Sequence, residues 1–133
     1  MNKILLIITV LLFLITNANH IIADKSISIN SEIIYVDDDN INGPWFGTLE
    51  NPYNQIRDAL ENATNGDTIY VFDGVYLENI EIEKRVSIMG EKQTIIDGDY
   101  NNFVIKIKSD SCVIKDLIIR NSGGYNQDSG ILV

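Results

Sequence analysis

From residue 80 onward the chain repeats itself. IEIEKRVSIMGEKQTIIDGDY, Ile80 to Tyr100, sets above IKIKSDSCVIKDLIIRNSGGY, Ile105 to Tyr125. Ile80 meets Ile105 and Ile82 meets Ile107 at a spacing of 25; Ile88 meets Ile114 at 26; Ile95-Ile96 meets Ile118-Ile119 at 23. Ile131 lies 26 after Ile105 and opens a third round, and TIYV from Thr68 lies 26 before TIID from Thr94. Segments of two to five residues are too short to bury a face alone. Stacked round on round, they form parallel sheets wound into a solenoid, with aliphatic ladders inside and turns outside. β-branched residues suit such ladders.

The intervening positions support the register. Glu81 falls on Lys106, Glu83 on Lys108, and Asp97 near Arg120. Opposite charges on neighbouring strands contribute about 0.2–1 kcal/mol each. A slip of one residue would turn the lysines inward. An antiparallel sandwich also has short strands, but it does not require three ladders and matched charges at one period. The pattern predicts an all-β parallel β-helix.

Before the repeat, IIYV, Ile33 to Val36, reads as a strand, and Ile27 and Ile29 alternate ahead of it in a candidate edge strand. NPYNQIRDALENATNG reads as a helix, with Asn51 as N-cap, Pro52 in the first turn and Asn65-Gly66 at its end. Ile56, Ala59, Leu60 and Ala63 form its apolar stripe. Asn62-Ala63-Thr64 is a formal glycosylation sequon, a weak signal inside a helix.

The chain has 133 residues, enough for one domain, with 10 basic and 19 acidic side chains and a net charge of -9. That balance argues against nucleic acid and against anionic lipid surfaces. Lys3, the 12-residue apolar run Ile4 to Ile15, and small residues at Thr16 and Ala18 read as a secretory signal peptide. The run is too short for a bilayer span, which takes about 20 residues. Cleavage is expected after Ala18. Cys112, the single cysteine, permits no internal disulfide and reads as a small buried hydrophobe. With one histidine, His20, one cysteine and one mature methionine, Met89, no zinc or copper site can be assembled from soft ligands.

The segments YVDDDN, GPWFGTLENPYNQIRDALENATNGDTIYVFDGVYLENIEI, VSIMGE, TIIDG and VIKDLIIRNSGG carry a family resemblance. Over about Tyr35 to Val133 the chain resembles the N-terminal end of secreted right-handed parallel β-helix proteins of the pectin-lyase-like superfamily. It is most similar to repeat-containing surface proteins of archaea and bacteria, and to the periplasmic β-helix family named for copper and nitrous-oxide-reductase maturation. The resemblance implies a right-handed, single-stranded parallel β-helix whose first coil is capped by the N-terminal α-helix. The copper label does not transfer to a chain without the ligands. The expected organisation is a signal peptide over 1–18, a strand, polar loop and capping helix over 19–66, and β-helix coils over 67–133. About two coils are complete. The chain reads as the N-terminal part of a longer protein, with end-to-end self-association through the uncapped C-terminal coil as the alternative.

Three groups of residues are candidate sites. Asp38, Asn40, Asn42 and Gly43 match the first half of a calcium loop, but position 12 is Leu49 and the flanking helix pair is missing. Calcium held by Asp38, Asn40 and Asn42 therefore competes with plain turn chemistry, in which Asp and Asn side chains bond nearby backbone. DGDYNN, Asp97 to Asn102, carries the same ambiguity. Tyr76, Tyr100 and Tyr125 recur in DGVY, DGDY and SGGY, and could form an aromatic strip for sugar rings or stack as core shields. Trp45 and Phe46 are expected to pin the loop onto the helix cap. Paired carboxylates for glycoside hydrolysis are not singled out. The superfamily's active sites usually lie on middle coils. The reading is an exported, non-catalytic scaffold at the cell surface or outside the cell, binding polysaccharide or a cell-surface glycan. The alternative is an N-terminal fragment of a polysaccharide lyase or glycoside hydrolase.

Overall fold

A computed structural model describes residues 30–124 and 129–133. The expected signal peptide, His20, Ile27, Ile29 and Tyr125 lie outside the described residues. The rest is mostly β, with one short helix. In chain order the elements are β1 (Ile33–Val36), α1 (Ile56–Asn62), β2 (Thr68–Val71), β3 (Gly74–Leu77), β4 (Ile80–Ile82), β5 (Ser87–Gly90), β6 (Thr94–Asp97), β7 (Ile105–Ile107), β8 (Val113–Lys115), β9 (Ile118–Arg120) and β10 (Ile131–Leu132).

These strands form three sheets in which every pairing is parallel. Sheet one is ordered β1-β2-β5-β8, sheet two β4-β7-β10 and sheet three β3-β6-β9. From β2 onward the chain visits sheets one, three and two in turn, so the strand pairings join residues 19 to 26 positions apart.

The ladders follow the expected register. Ile80 pairs with Ile105, Ile82 with Ile107, Ile88 with Ile114, Ile95-Ile96 with Ile118-Ile119, and Ile131 with Ile105. Strand alternation sends Ile69, Ile80, Ile82, Ile88, Ile96 and Ile105 fully inward. The charged positions point out. Lys108 contacts Glu83 at 3.0 Å and also meets Glu81, which lies 3.8 Å from Lys106. The earliest round departs from the expectation. TIYV from Thr68 does not stack on TIID from Thr94. It pairs with β5 from Ser87, while Thr94 pairs with Gly74. The loops of this round are shorter, so a fixed period misassigns it.

Helix α1 also differs from its sequence signals. It starts at Ile56 with Gln55 as N-cap, and Gln55 makes no side-chain capping bond. Asn51 and Pro52 lie outside it. The residue after them, Tyr53, is held by the edge of β1. Its N–H donates to Tyr35 O at 2.9 Å and its carbonyl accepts from Asp37 N at 2.7 Å. The helix ends at Asn62, ahead of Asn65-Gly66, because Asp67 captures Thr64 through its N–H at 2.7 Å and its hydroxyl at 3.0 Å. The apolar stripe is as expected: Ile56, Ala59, Leu60 and Ala63 are all buried in the core.

Capping is supplied from elsewhere in the chain. Glu78, just after β3, is buried and accepts from Ile56 N at 2.8 Å and Arg57 N at 3.0 Å. Those two donors are among the four a helix start leaves unpaired. Burial pushes the Glu78 carboxyl up, against the lowering effect of these two bonds.

Candidate functional site

The polar turn after β1 is built by its own side chains. Asp38 Oδ2 accepts from Val75 N at 3.0 Å, tying this turn to the start of β3. Gly74 leaves room for it, since a Cβ there would overlap the Asp38 carboxylate. Asn40 Nδ2 donates to Pro52 O at 2.7 Å and Pro44 O at 3.3 Å. Asp37 Oδ1 accepts from Asp39 N at 3.1 Å. Asn42 is exposed. Among the described residues no group of three or more His, Cys, Asp or Glu side chains could hold a metal ion. The side chains of Asp38 and Asn40 thus make the backbone bonds that turn chemistry requires.

Of the strip tyrosines that are described, Tyr76 and Tyr100 do not occupy equivalent turns. Tyr76 is not in a turn. It lies in β3, pairs with Ile96 and is 2% exposed. Its hydroxyl accepts from Asp38 N at 3.3 Å and lies 3.1 Å from Phe72 O. Burial raises its pKa, and the negative charges of Asp38, Asp37 and Glu78 add to the rise. Tyr100 does lie in a turn and is 73% exposed, in a left-handed backbone conformation. The structure therefore does not bring Tyr76 and Tyr100 together. Trp45 and Phe46 are 44% and 67% exposed and do not act as buried pins. The Trp45 indole N–H instead donates to Asn40 O at 2.7 Å, closing the loop on itself.

A different aromatic group is assembled on sheet one. Tyr35 and Tyr70 are register partners in β1 and β2, facing away from the core side chains Ile34, Val36, Ile69 and Val71. Phe72 follows two residues later and joins them. Ring centroids are 6.0 Å apart for Tyr35–Tyr70, 6.2 Å for Tyr35–Phe72 and 5.3 Å for Tyr70–Phe72. Tyr35 and Phe72 are stacked, whereas Tyr70 meets Phe72 edge-on. All three are partly exposed. The Tyr70 hydroxyl donates to Glu91 Oε1 at 3.0 Å, and the other carboxylate oxygen accepts from Asp73 N at 3.3 Å. The bond to Glu91 raises the Tyr70 pKa, with burial and the neighbouring carboxylates adding to it. Local spacing hides this group. The readable signal is the pair of matched tetrapeptides IIYV and TIYV, each with tyrosine third.

The Asp97 turn is closed by an ion pair. Asp97 Oδ2 lies 2.7 Å from Arg120 Nε, and Asn121 Nδ2 donates to both carboxylate oxygens. The Asp99 N–H, then Arg120, hold the Asp97 carboxyl below the usual carboxylate range. Such a carboxylate is unsuited to proton donation near neutral pH. Beside the helix, Arg57, Leu60, Asn79, Glu81, Glu83 and Lys84 line a groove of about 430 Å³. Cys112 is half-buried, its sulfur 3.4 Å from Lys84 O.

Comparison with known proteins gives one informative likeness. The chain is 32% identical over 90 residues to an Arabidopsis thaliana protein named as a pectinesterase/pectinesterase inhibitor. The match covers 54% of this chain and 17% of that protein. No family model matches the chain, and no solved structure matches it. Among the described residues no helix is long and apolar enough to cross a membrane.

Proposed function

We propose that the chain is a right-handed parallel β-helix module, exported from the cell, that serves as a non-catalytic scaffold binding polysaccharide. The observation that carries this reading is the three-sheet parallel register. Each round places outward side chains directly above those of the round before, which makes a continuous surface suited to a polymer with its own repeat. The likeness to a protein named as a pectinesterase supports a carbohydrate partner. The side chains of Asp38, Asn40 and Asp97 are engaged in turn and ion-pair bonds, which favours a scaffold over a catalyst at those positions.

The test is retention of the full chain on insoluble cell-wall polysaccharide, followed by assay of the eluate for new reducing ends, unsaturated sugar or released methanol. Retention without products supports the scaffold. Products would establish the second reading, part of a polysaccharide-degrading enzyme. That reading draws on the 17% coverage of the far longer plant protein. Export is checked separately, by fractionating cells that express the full sequence and reading the N-terminus of the mature product.

A further inference from the structure

We propose that Tyr35, Tyr70 and Phe72 form a docking platform for the rings of an uncharged glycan, with Glu91 as an acceptor for its hydroxyls. The inference rests on the polysaccharide-binding reading above, and names the site and the ligand class.

Outward positions of a sheet facing water are ordinarily polar. Here the outward pair Tyr35–Tyr70, with Phe72, places three rings within 6.2 Å of one another. The core does not use them, because the inward side chains of the same strands already fill it. The three rings pack on one another and still leave part of their surface to solvent, an apolar face that a ligand can cover. A pyranose offers the complement: one face of C–H groups to lie on the rings, and a rim of hydroxyls to donate to a carboxylate. Glu91 is preorganised for that task. It is fixed by the Tyr70 hydroxyl and the Asp73 N–H, and an ionised carboxylate has about four lone-pair sites.

Charge decides the class of sugar. Asp73 and Glu91 adjoin the rings, Asp37 follows β1, and the whole chain carries -9. Two cations are near. Lys92 donates its backbone N–H to Asp73, and Lys115 stands beyond Met89 in the row that starts at Tyr35 and Tyr70. Strands are about 4.8 Å apart, so the backbone of Lys115 is about 10 Å from that of Tyr70, and the two cations are outnumbered by Asp37, Asp73 and Glu91. The local field is therefore negative and disfavours uronates, sulfated sugars and phosphates. A neutral hexose chain meets no such penalty.

The experiment is calorimetric titration of the full chain with hexasaccharides of β-1,4-glucan, β-1,4-mannan and β-1,4-galactan, and with hexagalacturonate as the charged counterpart. At least one neutral hexasaccharide is expected to bind, and hexagalacturonate to bind more weakly. Tyr35→Ala and Phe72→Leu are each expected to weaken binding about tenfold or more. Phe72→Leu keeps apolar volume while removing the ring, so it remains informative if the alanine variant fails to fold. Glu91→Gln should weaken binding less, and Tyr100→Ala not at all. Unchanged binding by both ring variants would overturn the platform, as would tighter binding of hexagalacturonate. If no hexasaccharide binds while the chain is still retained on insoluble polysaccharide, the platform is refuted and the broader reading stands. Loss of both refutes both.

Discussion

Glu78 gives the sharpest test of how the helix is held. Helix α1 has seven residues and no capping side chain of its own, so its start depends on a carboxylate 22 positions downstream of Ile56. Glu78→Ala leaves the Ile56 N–H buried without a partner, a loss of about 1–3 kcal/mol. Arg57 is exposed, so water can replace the second bond at little cost. Removing a buried carboxylate recovers some desolvation, which leaves a net loss of about 1–2 kcal/mol near neutral pH. At about 3–5 °C per kcal/mol for a chain of this size, the midpoint should fall by roughly 3–10 °C. The pH dependence has a definite sign. Burial raises the Glu78 pKa in the folded state, so folding takes up protons. Its stabilising contribution is complete below the ordinary carboxylate range and declines as pH rises through the folded value. Urea melts of wild type and Glu78→Gln between about pH 4 and 7 read this directly, because Gln does not titrate there. The wild-type advantage should be largest at the acid end. An advantage that grows toward neutrality would mean that the helix N–H groups outweigh burial, and an unchanged Glu78→Ala midpoint would refute the cap.

Three further outcomes follow from single contacts. Gly90 is buried at the end of β5, where an added Cβ would overlap Asp116 O and lie 2.6 Å from Leu117 Cδ2 and 2.8 Å from Thr94 Cβ. Because backbone of the next round must shift, Gly90→Ala should cost about 2–3 kcal/mol in a urea melt; a loss under half a kcal/mol would contradict that packing. Asp67 has the opposite linkage sign to Glu78. Burial raises its pKa, but bonds from Glu32 N, Thr64 N and the Thr64 hydroxyl, with Lys84 nearby, bring the net value below the usual range. Its contribution is present above that range and lost as pH falls through the folded value, so Asp67→Asn should be destabilised near pH 7 by about 2 kcal/mol and converge on wild type in acid. Asp38→Ala should lower the melting midpoint by the same amount in calcium and in chelator, because the carboxylate serves Val75 N. A larger loss in calcium would favour an ion at Asp38 over turn chemistry.

What the sequence shows of this protein is what repeats in it. The isoleucine ladders and the pairs Glu83–Lys108 and Asp97–Arg120 are readable because each residue's partner sits one round away at nearly constant spacing. Features that interrupt the period are hidden. Tyr76 resembles Tyr100 in its local string, DGVY beside DGDY, yet the shorter first round sets it against Ile96 and turns it into the core. Asn51-Pro52 is a good local start signal for a helix, but Tyr53 is claimed by the edge of β1, a contact that local rules cannot see. The Glu78 cap is hidden for the same reason. Tyr35 and Tyr70 share a row, but a loop and a helix lie between them and break the spacing. In a stacked architecture the interior is constrained by the layer on either side, so its residues are near-copies. An outward residue is constrained only by its neighbours in the row and by whatever binds there. Tyr35 and Tyr70 match although water could have been served by any polar pair. The pair stabilises its own sheet by about 0.2–1 kcal/mol, and the part of the rings left exposed is the face that the proposed glycan would cover.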